Sequence, residues 1–125
     1  MKTLSQIRSA NALASSKMPG MGKGQKGGDA ISGFPMLIKT DGLLAAAAFA
    51  VESNREGKPK QEGARLIVKA IATHLASKGI GICRAETAQD LVEELSHGEA
   101  AKLRQATAEA LAYLAYLKRY TTLTP

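Results

Sequence analysis

The sequence predicts an all-α fold, a single-domain compact bundle of about five helices over residues 1–125. Three observations point there. Alanine supplies 22 residues and aromatics only five, and many small side chains favour closely approaching helices over a β-sandwich. A chain of 125 residues holds one core and is too short for two. Apolar residues recur at helical spacing through most of the length.

The first helix is expected at about residues 3–18, with Leu4, Ile7, Ala14 and Met18 on one stripe. Pro19 and Gly20 end it and open PGMGKGQKGG, read as a mobile basic loop over about 19–28. A second helix, about 31–53, is apolar nearly all round. Ile38, Ala45 and Phe49 mark one face, and Met36, Leu43, Ala47 and Ala50 another, which suits the middle of a bundle. Pro35 is tolerated near its start. Ser53–Gln61 reads as a polar linker. A third helix, about 62–77, turns Ala64, Ile67, Val68, Ile71 and Leu75 inward, and Gly79 and Gly81 follow it. Ile80, Ile82 and Cys83 are placed to plug the core from a loop. Thr87-x-x-Asp90 opens a short fourth helix with Ala88, Leu91, Val92 and Leu95 on its apolar side. Ser96-x-x-Glu99 reads as the box that opens the last helix, about 99–121, whose buried stripe is Leu103, Ala110, Leu111, Leu114 and Leu117.

Targeting signals are weak. Ala12-Leu13-Ala14 has the small-x-small look of a cleavage site, but Gln6, Arg8 and Asn11 interrupt the apolar run before it. The longest apolar stretch, Gly42 to Val51, is about half of the roughly 20 residues a membrane helix needs. A soluble, cytoplasmic protein is expected.

Catalytic and cofactor motifs fail on their physics. Gly22-x-Gly24-x-x-Gly27 has dinucleotide-fingerprint spacing, but a helix precedes it where that motif requires a strand. Neither Lys23 nor Lys26 is followed by the Ser or Thr of a P-loop. His74 falls on an apolar stripe and His97 at a helix junction, and with one cysteine they form no metal set. Cys83 reads as a small buried hydrophobe, and Glu86, Asp90, Glu93 and Glu94 as a solvated acidic face. No cofactor is expected.

Charge is more informative. The net charge is +6, yet residues 1–40 carry six basic groups and one acidic, while residues 86–125 carry four and six. A basic front end is the usual means of neutralising phosphate, and opposed ends allow like subunits to stack head to tail. Tyr113, Tyr116 and Tyr120 form a stripe beside the leucines, read as core or subunit contact ahead of base stacking.

Two stretches carry a family resemblance. Phe34-Pro35-Met36-Leu37-Ile38, then Asp41-Gly42-Leu43-Leu44 and Ala48-Phe49, resembles the "P-x-L-I…N-G-L…A-F" core of the small α-helical subunit of type III-B CRISPR effector complexes, the Cmr RNA-targeting complex. Glu109-Ala110-Leu111-x-Tyr113-Leu114-x-Tyr116-Leu117-Lys118-Arg119 is similar to that family's closing "E-A-L-x-Y-L-x-W-L-K-R-F" helix. Asp41 stands where Asn is commoner, and Tyr116 and Tyr120 where Trp and Phe are usual. The resemblance implies a non-catalytic bundle whose copies stack as a minor filament beside the guide-RNA backbone subunits and line the target-RNA channel. On that reading Arg8, Lys17, Lys23, Lys26, Lys39, Lys118 and Arg119 are the candidate RNA contacts. Glu86, Asp90, Glu93 and Glu94, with Tyr113, Tyr116 and Tyr120, are the candidate subunit contacts. The alternative is a helix-turn-helix DNA-binding regulator, which would need a tight turn and a recognition helix beginning with Arg, Asn or Gln. A small enzyme is the third possibility.

Overall fold

The computed structural model describes residues 1–123, and these fold as helices joined by turns and loops. Among the described residues there are seven helices: α1 (Leu4–Ser16), α2 (Lys26–Ala30), α3 (Phe34–Asp41), α4 (Leu43–Ala50), α5 (Glu62–Ala76), α6 (Ala88–His97) and α7 (Ala100–Thr121). Among the described residues there is no strand, only an isolated bridge between Ser53 and Pro59.

Two sequence expectations account for the difference between five helices and seven. The long second helix is broken at Gly42, whose φ of +89° and ψ of 161° lie in a region essentially reserved for glycine. Its N–H closes α3 on the Ile38 carbonyl at 2.7 Å, and α4 then starts in a new direction. The break also exposes what an unbroken helix would bury: Met36 is 63% and Phe49 40% accessible, and Ala45 is exposed. The central place belongs instead to α5, which packs on α1, α2, α4, α6 and α7 and buries Ile67, Val68, Ile71 and Leu75 completely.

The second difference is the stretch expected to be a mobile loop. Met21 within it is fully buried, and Gly27 N–H donates to the Gly20 carbonyl at 2.8 Å. Its glycines allow close approach. A Cβ on Gly28 would stand 1.9 Å from the Gly22 carbonyl oxygen, and one on Gly63 of α5 2.3 Å from the Lys26 carbonyl oxygen. Backbone thus packs on backbone where α2 crosses the start of α5.

Local capping is partly as expected. Thr87 accepts from Asp90 N–H at 3.0 Å and opens α6. Ser96 remains inside α6, and Glu99 begins α7 without a side-chain cap. The chain's full capping box is at α1, where Thr3 and Gln6 satisfy each other's backbone N–H groups. Ile82 and Cys83 N–H both donate to the Leu75 carbonyl, which folds that loop into the core as expected, and burial pushes the Cys83 thiol up to about 11.

The glycine contacts give a paired test by chemical denaturation. Gly63→Ala lowers the unfolding free energy by about 1–3 kcal/mol, the range for overpacking a tight contact. Gly33→Ala, with nothing within 4 Å of its added Cβ, costs under about 1 kcal/mol. Equal losses at the two positions would show that the α2–α5 approach is not this close.

Candidate nucleic-acid and subunit interfaces

The candidate surfaces are positioned by the docking of α1, and α1 docks through polar groups. Only Ala12, Ser15 and Ser16 are buried on it, while Leu4 and Leu13 of its apolar residues remain 50% and 39% accessible. The expected inward stripe is therefore partly outward. The inward side carries Arg8, Asn11 and Ser15. Arg8 Nε and Nη2 donate to both Glu109 carboxylate oxygens, at 2.7 and 2.8 Å, in the bidentate geometry that makes such pairs strong. Glu109, on α7, is 8% accessible. His74 of α5 reaches the same carboxylate through Nε2 at 2.9 Å.

Asn11 settles the histidine tautomer. Its Nδ2 donates to His74 Nδ1 and to Ser77 Oγ, each at 2.9 Å. Nδ1 is then an acceptor, and the ring proton sits on Nε2, facing Glu109. Tyr113 stacks on the imidazole, centroids 4.3 Å apart and planes within 14°, and donates its hydroxyl to Ser15 Oγ at 2.7 Å. Burial lowers the His74 pKa despite the neighbouring carboxylate. The Arg8 hydrogen bonds hold the Glu109 carboxyl below its usual range, and burial pushes the Tyr113 hydroxyl up to about 12. Ser77 Oγ donates to the His74 carbonyl at 2.6 Å rather than facing the ring, so serine and histidine form no nucleophile–base pair here.

Three sequence candidates are corrected by these contacts. Arg8 is committed to Glu109 and is not a free phosphate ligand. Tyr113 is fully buried and cannot meet another subunit. Glu94 is also occupied: it accepts from Arg84 and Ala85 N–H at 2.9 Å each and pairs with Lys102 at 2.6 Å. Burial opposes its charge, but Lys102 and the two backbone donors prevail and hold its carboxyl low.

The remaining candidates lie on the surface. Lys26 pairs with Glu62, both well exposed, in the kind of contact that adds little. Lys17, Lys23, Lys39, Lys118 and Arg119 are exposed with no ion-pair partner among the described residues. Glu86, just before α6, and Asp90 and Glu93 on it are likewise exposed and unpaired. Tyr116 and Tyr120 are half-buried, and the Tyr120 hydroxyl bonds Ser9 Oγ at 2.7 Å.

Two features escaped the sequence reading. The "linker" is a compact hairpin in which Asn54 Oδ1 accepts from Glu56 and Lys58 N–H, presenting exposed Arg55, Lys58 and Lys60. The signal was Asn54 three residues before Gly57, a turn spacing whose glycine takes φ +79°. Beside it Phe34, Leu37, Phe49 and Pro59 line an open groove of about 570 Å³. Among the described residues, no three metal-ligating side chains converge.

The sequence matches the family model described as CRISPR-associated protein (Cas_Cmr5) over residues 4–123. The fold superimposes on the crystal structure of a CRISPR-associated Cmr5 family protein from Thermus thermophilus with a TM-score of 0.69. The two share 22% identity, and the match covers 97% of this chain and 96% of that one. No curated protein matches the sequence.

The polar cluster sets two expectations. Glu109→Ala strands Arg8 in a half-buried site and lowers the unfolding free energy by about 3–5 kcal/mol. Lys26→Ala at the exposed pair costs under about 1 kcal/mol. Acid should act in two stages. The unfolded His74 takes up a proton below about pH 6.5 that the folded state refuses, so stability falls as pH drops through that value. A further loss follows below about pH 4.5, where the unfolded Glu109 protonates before the folded one. Denaturation midpoints against pH check this, and His74→Gln should remove the first stage. An unchanged first stage in that variant would assign it elsewhere.

Proposed function

Because this chain belongs to the Cas_Cmr5 family of CRISPR-associated proteins, we propose that it is the small subunit of a type III-B (Cmr) RNA-targeting effector complex acting in antiviral defence. In this reading it is a non-catalytic part. It stacks with copies of itself as a minor filament beside the guide-RNA backbone subunits, and it lines the channel where target RNA pairs with guide RNA.

The observation that carries the reading is how the charges sort. Three cations are taken up by carboxylates: Arg8 by Glu109, Lys102 by Glu94, Lys26 by Glu62. What remains unpaired among the described residues includes a set of cations at the end of α1, on α3, at the end of α7 and on the hairpin, with Asp29, Asp41, Glu52 and Glu56 scattered near them, and a run of carboxylates, Glu86, Asp90 and Glu93, at α6. Unpaired cations suit phosphate, whose contact releases counterions without reading sequence. The α6 carboxylates suit the basic surface of a neighbouring copy. The DNA-regulator alternative gains no support from α3, the helix behind a three-residue turn, because it starts Phe34-Pro35-Met36 and offers no side-chain donor to a base edge at its start. No helix among the described residues is long and apolar enough to cross a membrane.

Single-stranded RNA should bind the purified chain with little sequence preference and without hydrolysis. The logarithm of affinity should fall linearly with that of salt, by about 0.7 per phosphate neutralised. The chain should also co-purify with a guide-RNA-containing complex. RNA affinity that is unchanged from about 50 to about 200 mM salt would sink the phosphate-lining role.

A further inference from the structure

The last two turns of α7 carry two rings that pack against the edge of the core and keep part of their surface open. Tyr113, one turn earlier, is fully buried against His74, whereas Tyr116 and Tyr120 stay half-exposed with centroids 6.2 Å apart and planes tilted by 36°. Arg119 is exposed beside them. Positions 116, 119 and 120 are i, i+3 and i+4, so the two rings and the guanidinium share one face of the helix. The bond from Tyr120 to Ser9 fixes that ring against α1, which makes the patch part of the seam between α1 and α7.

The field over this seam has one sign. Residues 1–17 and 110–123, which hold α1 and the end of α7, contain five Lys and Arg and no Asp or Glu, and four of the five, Lys2, Lys17, Lys118 and Arg119, are exposed and unpaired among the described residues. The nearest acidic group on α7, Glu109, is neutralised by Arg8 inside the seam. Half-exposed rings on a surface of unopposed positive charge are the two parts of a single-strand platform, in which bases stack on aromatic faces and phosphates follow the cations. A protein partner would also find Tyr and Arg useful, but it would have to bring an acidic surface to a seam that offers no carboxylate in return.

Resting on the RNA-lining reading above, we propose that the α1–α7 seam is a subsite for one unpaired nucleotide of single-stranded RNA. Its base stacks on Tyr116 and Tyr120, and its flanking phosphate is taken by Arg119. The platform is sequence-tolerant, since every base has a π-face.

The test uses the full chain, a fluorescent oligouridylate of about 12 nucleotides, long enough to cover a typical single-strand site, and an abasic oligomer of equal length. Tyr116 is the position to vary, because Tyr120 carries the bond to Ser9. Tyr116→Leu should weaken binding of the base-bearing oligomer roughly tenfold, within the range for losing one base–aromatic stack. Tyr116→Phe, which keeps the ring, should bind as the parent does. The abasic oligomer should bind parent and Tyr116→Leu alike. Arg119→Gln should reduce the salt slope by about one phosphate contact. A 4-thiouridine oligomer should photocrosslink to Tyr116 or Tyr120 when mapped by mass spectrometry. Tight RNA binding that ignores Tyr116→Leu and crosslinks elsewhere would overturn the seam while leaving the RNA reading intact. No binding of any oligomer would bring down both. Wild-type RNA affinity in Tyr116→Leu with loss of self-association would make the seam a protein contact and overturn the proposal.

Discussion

The Glu109 carboxylate is the group on which the arrangement of this protein depends. It lies on α7, receives the Arg8 guanidinium from α1 at both oxygens, and receives the His74 imidazole from α5 at one. Three helices far apart in sequence are thus held at one carboxylate. For α5 and α7 that bond supplements a well-filled apolar contact. For α1 it stands with the bonds of Ser9, Asn11 and Ser15 in a largely polar attachment, since Ala12 is the only apolar residue that helix buries. Apolar contact tolerates sliding and rotation, whereas a bidentate pair does not. The polar cluster therefore fixes the angle at which α1 lies on α7, and with it the geometry of every surface those two helices share.

That cluster is internally consistent because each member constrains the next. Asn11 donates to both His74 Nδ1 and Ser77 Oγ, which makes Nδ1 an acceptor and sends the ring proton to Glu109. Tyr113 covers the imidazole and uses its hydroxyl on Ser15 of α1. Glu109 is charged, Arg8 is charged and His74 is neutral, so the site holds two opposite charges and no excess. Buried charge costs desolvation, and a pair with its lone pairs satisfied offsets most of that cost. A third charge on His74 would upset the balance, which is why burial prevails over the carboxylate in lowering its pKa.

How much of this was legible in the sequence follows from how local each signal is. The stripes of α5 and α6 and most of that of α7 were readable, because periodicity reports on one helix facing one core. The Thr87 cap was readable for the same reason. The break at Gly42 was half visible: a glycine inside an alanine-rich run permits a kink but does not require one, and the neighbouring packing decides. The basic glycine loop was misread because composition cannot tell a glycine kept for flexibility from one kept for close approach. Gly28 and Gly63 are of the second kind, and only the contact with Gly22 and Lys26 shows it. Arg8 and Glu94 looked like surface residues, and Tyr113 was read as either core or subunit contact, because the partners that occupy them lie 101, 8 to 10, and 39 or 98 positions away. The candidates that stayed on the surface were readable by default: Lys17, Lys39, Lys118 and Arg119 have no carboxylate within reach among the described residues.

The same pairing that misled the sequence reading gives the surface its character. A net charge of +6 spread evenly over paired groups would leave a weak, mixed field. Here the seam's one acid, Glu109, is withdrawn inward and neutralised, so the cations that remain over α1 and the end of α7 act unopposed. At α6 the reverse holds, because Glu94 is drawn into capping Arg84 and Ala85 while Glu86, Asp90 and Glu93 stay free. Internal stabilisation and external polarity are therefore one arrangement. The ion pair that orients α1 also keeps its carboxylate off the basic face, and a change that breaks it alters the direction of that face.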